Sequence, residues 1–339
     1  MPLPYPNRRL VLGGLAAASL APRAQAQSSD SFVVATYGGL FEQILRKNVI
    51  PDFEAKHGVR VVLELGQGTT FLPKLATARR RSPYDVVYVN DDEAALGGSM
   101  GLWAPDMSAQ IPNVAALYPS LRPSKAMPLY TTTVYDFPLL YRTALAAPTS
   151  WGDLWSIDQA VGVPHISNSY GLTFLLIAAL LNGGDAANMA PGFAAVKRLK
   201  NPKVWRGITQ GYGMFQQGEV VAGLMYNHRA QQLVDAGLPV AMVHPKEGVW
   251  GQRTGLQIPK TATRPDLSAA WADIALGVDY QAAFAEGLYS PSNAKVPLKQ
   301  AEKFVTGEAR INGLRFPDWD VINPQRDALL DQWNRVVGN

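Results

Sequence analysis

Between Val240 and Ala262 the chain reads VAMVHPKEGVWGQRTGLQIPKTA, and Trp250, Gln252, Arg253 and Thr254 present an indole, an amide, a guanidinium and a hydroxyl in close succession. That mixture suits holding a small polar molecule better than filling a core. A guanidinium is the usual bidentate partner of carboxylate and phosphonate groups. Strand neighbours alternate faces, so an Arg253 turned away from any ligand is the competing reading. A different chemistry is offered by Gly97-Gly98-Ser99-Met100-Gly101, which matches the G-x-S-x-G elbow of serine hydrolases. The elbow works only where a strand leads in and a helix leads out, holding the serine at a strained, exposed turn. Here a helical stretch, Asp92 to Leu96, leads in. Ser99 is therefore expected in a loop ending a short helix, and a hydrolase is the remote alternative.

Other chemistry finds less support. His57, His165, His228 and His244 lack metal-ligand spacing, with His228 the one to watch, and no metal or cofactor is expected. Asp91 and Asp92 leave a strand side by side and point apart, whereas a glycosidase needs facing carboxyls. Gly66-Gln67-Gly68 lacks the rest of a dinucleotide fingerprint.

These residues need elements that bring strand ends together. Phe32 to Thr36 reads as a buried strand, and Tyr37-Gly38-Gly39 as a tight turn whose glycines let the backbone approach a ligand. Phe41 to His57 reads as a helix with a break at Pro51 and an end at Gly58. Strands Val59 to Leu63 and Tyr84 to Val89 enclose a helix from Phe71 to Arg80. Strand–helix–strand–helix–strand is the signature of an α/β unit with a parallel sheet. Polar residues just past the carboxyl ends of such strands face the ligand crevice, where Tyr37 and Asp91 stand. Tyr130 to Tyr135 and Leu139 to Tyr141 are β-prone. A second unit follows, with strands Ala160 to Val163, Val220 to Tyr226 and Val240 to Val243. Its helix Leu172 to Leu181 starts directly after Ser167, Asn168 and Ser169. The first-turn N–H groups could receive an anion or a carbonyl there, or Ser169 could simply cap the helix.

The chain has 339 residues, 47% of them hydrophobic and 17% charged, which describes a globular protein with an ample core. Cysteine is absent, which excludes disulfides, thiolate metal sites and a cysteine nucleophile. Arg8 and Arg9, the apolar run Leu10 to Ala21 and the small-x-small site Ala24-Gln25-Ala26 read as an export signal over residues 1–26. It resembles a twin-arginine signal, with Sec export as the alternative. Cleavage after Ala26 removes three arginines and no acids, taking the formal charge from +4 to +1. A nucleic-acid partner is not expected on that balance.

Several stretches taken in order are familiar: Tyr84-Asp85-Val86-Val87, Gly101-Leu102-Trp103-Ala104-Pro105, Ser150-Trp151-Gly152-Asp153-Leu154-Trp155, Pro245-Lys246-Glu247-Gly248 and Tyr289-Ser290-Pro291-Ser292-Asn293. Together they resemble the spermidine/putrescine-type branch of the periplasmic solute-binding proteins that feed ABC importers. The resemblance implies an α/β, type II periplasmic binding fold. Two lobes, each a mainly parallel sheet flanked by helices, would be joined by hinge strands and close over one ligand. Lobe 1 would comprise residues 31–130 and 256–339, and lobe 2 residues 136–250. The implied partners are a small-molecule ligand and an inner-membrane permease; a periplasmic monomer that catalyses no reaction is expected.

Carried over by position, Tyr37, Asp91, Tyr226 and Tyr289 match ligand-facing places of the family's polyamine sites. Two departures follow. Gln252 and Thr254 stand where polyamine binders put Trp and Asp, and Ser167 and Asn168 stand at acidic positions. A buried ammonium without its carboxylate is strongly disfavoured. The expected solute is therefore anionic or zwitterionic, with Arg253, Arg229 and the helix start at Ser169 on its acid end and Asp91 on any amine. A polyamine is the alternative; ferric iron lacks the tyrosine pair used by iron-binding relatives. The expected ligand-binding set is completed by Gly38, Trp250, Gln252 and Thr254.

Overall fold

The computed structural model describes residues 31–78 and 80–338; the expected export signal over 1–26 lies outside the described residues. In chain order the strands are β1 (Ser31–Thr36), β2 (Arg60–Leu65), β3 (Val86–Asn90), β4 (Tyr130–Phe137), β5 (Leu139–Arg142) and β6 (Val161–Pro164). They continue as β7 (Pro202–Trp205), β8 (Ala222–Leu224), β9 (Val240–Val243), β10 (Val249–Gln257), β11 (Ser290–Pro291) and β12 (Leu314–Arg315). Two sheets result. The larger runs β11-β4-β10-β3-β1-β2, with β12 paired to β10, and the smaller runs β7-β6-β8-β5-β9.

Each sheet is mixed rather than mainly parallel. β2-β1-β3 and β7-β6-β8 are parallel trios, as helical connections require. β4 pairs antiparallel with β10, and β5 with β9. The reason lies in the route of the chain. It leaves the larger sheet from β4 straight into β5 through Pro138 and returns from β9 into β10, so these four strands form one antiparallel ribbon shared by both sheets. β10 is a single strand with a register shift between Thr254 and Gly255.

Both faces of the larger sheet are covered, and β1 shows it residue by residue. Phe32 and Val34 pack with Phe53, Trp271 and Phe284, while Val33 and Ala35 pack with Phe71, Leu72 and Trp103. Alternation of that kind is the period of a strand. Fully burying each such side chain contributes roughly 1.5–3 kcal/mol. The smaller sheet is closed by Phe174, Trp205 and Phe215, and by the almost wholly buried helix Ser169–Leu180.

The turn that opens the return crossing is tied to the loop before β6. Glu247 accepts hydrogen bonds from the Ser150 hydroxyl and, at 3.1 Å, from Trp151 N–H, while Lys246 N–H reaches Thr149 O at 2.9 Å. Gly248 has φ 111°, a conformation that side chains avoid, and a Cβ there would lie 2.8 Å from Arg315. After β12 the chain runs through the short helix Trp319–Ile322 into the helix Arg326–Val336. Residues 256–339 were expected beside the larger sheet; the last helix packs instead on the smaller lobe. Trp333 lies in that core with its ring centroid 5.5 Å from His165 and 6.5 Å from Phe193.

Candidate functional site

A cleft of about 260 Å³ lies between the two sheets and draws its walls from both. The carboxyl ends of β1 and β3 supply Tyr37, Gly38 and Asn90, as a parallel sheet predicts. Thr254 comes from β10, and its hydroxyl donates to Asn90 Oδ1 at 2.6 Å, fixing the return crossing to the end of β3. From the smaller lobe come Ser167, Asn168, Ser169, Tyr226 and Arg229, and Tyr289 closes the cleft ahead of β11. Nine of the expected residues therefore line one cavity.

Four do not, and the causes differ. Arg253 sits on the opposite face of β10 from Thr254, where its guanidinium stacks 3.7 Å from the Phe316 ring centre. Strand alternation forces this, because Thr254 faces the cleft. Asp91 is fully buried and accepts the Arg253 backbone N–H at 3.3 Å, beneath the cleft rather than on its wall. Burial pushes its carboxyl up to about 7, against the pull of the Arg253 charge. Trp250 is buried at the crossing under the Arg315 guanidinium, 5.3 Å away. Gln252 acts at one remove: its buried Oε1 accepts the Tyr226 hydroxyl at 2.6 Å, orienting that ring from across the lobes.

Sequence reasoning missed several walls. Tyr135 stands at the centre of a ring cluster, with centroids 5.3 Å from Tyr226, 5.2 Å from His228 and 5.8 Å from Tyr289. Burial pushes the three phenols above their usual range and, with the nearby Arg229 charge, holds His228 well below its own. The ring wall is uncharged at neutral pH. The β-prone run of β4 was visible in the sequence, but not which of its faces met the cleft. Asp92 and Glu93 also line the cleft; an Asn followed three residues later by Glu is a capping-box pattern that marks this helix start. Arg326 left no signal at all, since it enters from the far C-terminal helix.

The ionic groups of the cleft are unequal. Asp92 is buried and paired with Arg326 at 2.6 Å, and Asn323 Nδ2 donates to its carbonyl at 2.8 Å. Glu93 accepts Asn90 N–H at 3.0 Å, and burial together with the Asp92 charge pushes it up to about 8. Arg229 opens the helix Asn227–Asp235. Its Nη1 donates to Gln232 at 3.0 Å, its buried Nε has no partner, and it makes no ion pair among the described residues. Arg206 stands exposed at the rim.

The helix Ser169–Leu180 begins at the same place. Its cap is Asn168, whose side chain turns instead to Arg206 O at 2.6 Å, so no side chain of the described residues caps the first-turn N–H groups. Ser169 is the first helical residue and not the cap. Ser167 is held through His165, whose Nδ1 accepts its N–H at 3.1 Å. Such an uncovered helix start favours negative charge.

The remaining candidates lie elsewhere. Ser99 ends the helix Asp91–Ser99, exposed, with its hydroxyl donating to Leu96 O at 2.8 Å; a helix leads in and the elbow geometry is lost. His244 belongs to the crossing, where it meets buried Asp136 at 2.9 Å opposite Arg310 at 3.1 Å. No described helix is long and apolar enough to cross a membrane.

Residues 48–309 match the family of bacterial extracellular solute-binding proteins. No curated protein matches the chain in sequence. Among solved structures, an ABC transporter protein from Clostridium perfringens is 24% identical with a TM-score of 0.76, covering 90% of this chain and 99% of that one. The Atu4243-GABA receptor is 20% identical with a TM-score of 0.75, covering 89% and 96%. The spermidine/putrescine ABC transporter substrate-binding protein PotD from Streptococcus pneumoniae is 17% identical with a TM-score of 0.70, covering 91% and 99%. These likenesses establish the two-lobed periplasmic binding fold.

Proposed function

This chain belongs to the bacterial extracellular solute-binding proteins, and we propose that it captures a small anionic or zwitterionic organic solute for an ABC importer. One observation carries the choice of solute: among the described ionic groups deep in the cleft, only Arg229 is left without an opposite charge. Asp92 is matched by Arg326, Asp91 lies below the wall, and burial beside Asp92 pushes the Glu93 carboxyl up to about 8, which disfavours its charge. A half-buried cation of that kind seeks a carboxylate or a phosphonate. The uncovered start of the helix Ser169–Leu180 adds a second pull on the same charge.

The polyamine reading rests on the aromatic wall around Tyr135, which would suit methylene chains. It lacks ionised carboxylates free to face two ammonium groups, and desolvating those groups costs several kcal/mol each. Calorimetry separates the readings. γ-Aminobutyrate, succinate and 2-aminoethylphosphonate are compared with putrescine and spermidine, using wild type and Arg229→Ala. We expect at least one anion to bind and Arg229→Ala to weaken it by about 2–5 kcal/mol, roughly thirty-fold or more. Tight putrescine binding unaffected by Arg229→Ala would refute the reading.

The protein acts in this reading as a periplasmic monomer, exported on residues 1–26. N-terminal sequencing of exported protein should begin at Gln27, and an intact Met1 on that protein would remove the export reading. Delivery to a permease rather than catalysis is consistent with the family, whose members are binding proteins.

A further inference from the structure

An anion's cleft ought not to contain a spare carboxylate, yet Glu93 lines this one at 6% exposure. It stands in the first turn of the helix Asp91–Ser99, with Oε2 accepting Asn90 N–H at 3.0 Å. Gly68 makes room for it. A Cβ at Gly68 would lie 2.2 Å from Glu93 Cδ and 2.5 Å from each carboxyl oxygen, so only glycine permits that seat. The groups that face it are Asp92 on its own helix, Arg326 from the C-terminal helix and Tyr37 after β1, while the helix Gly68–Thr77 turns Thr69 and backbone toward it.

Arg326 is committed to Asp92, so the two cancel and Glu93 is left over. A carboxyl that keeps its proton is a hydrogen-bond donor, not only an acceptor. Beside it the buried Tyr37 hydroxyl has no partner among the described residues. Both belong to the larger lobe, and Arg229 to the smaller.

We propose that Glu93 is a specificity-determining residue of the cleft, donating a hydrogen bond from its carboxyl group, alongside the Tyr37 hydroxyl, to the anionic end that Arg229 attracts. This rests on the anionic-solute reading above. The anion then draws donors from both lobes, so its capture and lobe closure are one event. Because the donor is an acid, binding weakens in alkali: ionised Glu93 repels the anion it formerly held. A neutral isostere keeps the donor and removes the switch.

Two measurements on the full mature chain test this. Infrared difference spectra of ligand-free protein between pH 6.5 and 9.5 are taken in an Asp91→Asn background, which removes the other carboxyl raised by burial. The loss of a protonated-carboxyl C=O band is expected with Glu93 present and absent with Glu93→Gln. A band that is missing, or that survives Glu93→Gln, overturns the proposal, and the solute reading is then decided by the titrations alone. Calorimetric titration with γ-aminobutyrate and succinate then follows at pH 7 and pH 9. Wild-type affinity is expected to fall about ten-fold, as the loss of a single proton from Glu93 across that interval allows, and Glu93→Gln to hold its affinity within about two-fold. Equal pH slopes in both proteins overturn the donor role alone. Binding of putrescine, and of neither anion, overturns the donor role and the solute reading together.

Discussion

Arg253 and Thr254 are neighbours on β10 with opposite surroundings: the Phe316 ring lies 3.7 Å from the guanidinium, and the cleft lies before the hydroxyl. Recognition and stability are therefore expected to separate at these two positions. Arg253→Ala should leave solute affinity unchanged and lower unfolding stability by about 1–3 kcal/mol, through the lost stack and the weakened neighbour of buried Asp91. Urea unfolding beside calorimetry reads both effects, and a lost affinity with unchanged stability would return Arg253 to the site. The buried carboxyls carry a second expectation. Burial raises Asp91 from 3.8 to about 7 and Glu93 from 4.5 to about 8. Between pH 4 and 8, roughly, the folded chain thus binds more protons than the unfolded one, so these groups make stability fall as pH rises across that window. Asp91→Asn should flatten part of the slope in melting temperature against pH, with a gain over wild type at pH 8 and none at pH 4. A slope unchanged by Asp91→Asn would show that this carboxyl is ionised in the fold.

The C-terminal helix Arg326–Val336 is an element with two attachments. Leu329 and Trp333, four residues apart on one face, enter the core of the smaller lobe, while Arg326 at its start reaches Asp92 of the larger. It is a third connection between the lobes beside the two strand crossings. Trp333→Ala should cost about 3–5 kcal/mol through the cavity it leaves. The loss should register in denaturant unfolding while the fold of the larger sheet, seen by Trp271, persists longest. A cost under about 1 kcal/mol would show that the helix docks only loosely. Arg326→Met should instead leave the core filled and strip the charge partner from Asp92, converting a balanced pair into a free carboxylate in the cleft wall.

At the scale of the whole molecule, β4–β5 and β9–β10 form one ribbon that both sheets share, so bending about Pro138, His244–Gly248 and the segment leading into the C-terminal helix is the expected relative motion. Hinge closure of that kind around a bound solute changes shape without refolding. Small-angle scattering with a solute that calorimetry shows to bind should give a smaller radius of gyration than the free protein. An unchanged profile would mean that solute enters an already closed form.

The sequence by itself determined the α/β alternation and nine of the residues that line the cleft. Those features are local: strand periods, turn residues, and polar groups just past strand ends. Tyr37 could be placed because a parallel sheet sends every strand exit toward one edge, Ser167 because a helix starts directly after it, and Tyr226 through the family resemblance. Pairings across distance were left to the tertiary structure. Which face of β10 met the cleft depended on what covered the other, and that cover, Phe316, lies some sixty residues on. Asp92 became neutralised through Arg326, a partner from the chain's far end, and Glu93 became an acid through burial. Charge in the sequence is a count of residues; charge in the cleft depends on desolvation and neighbours, which only packing supplies.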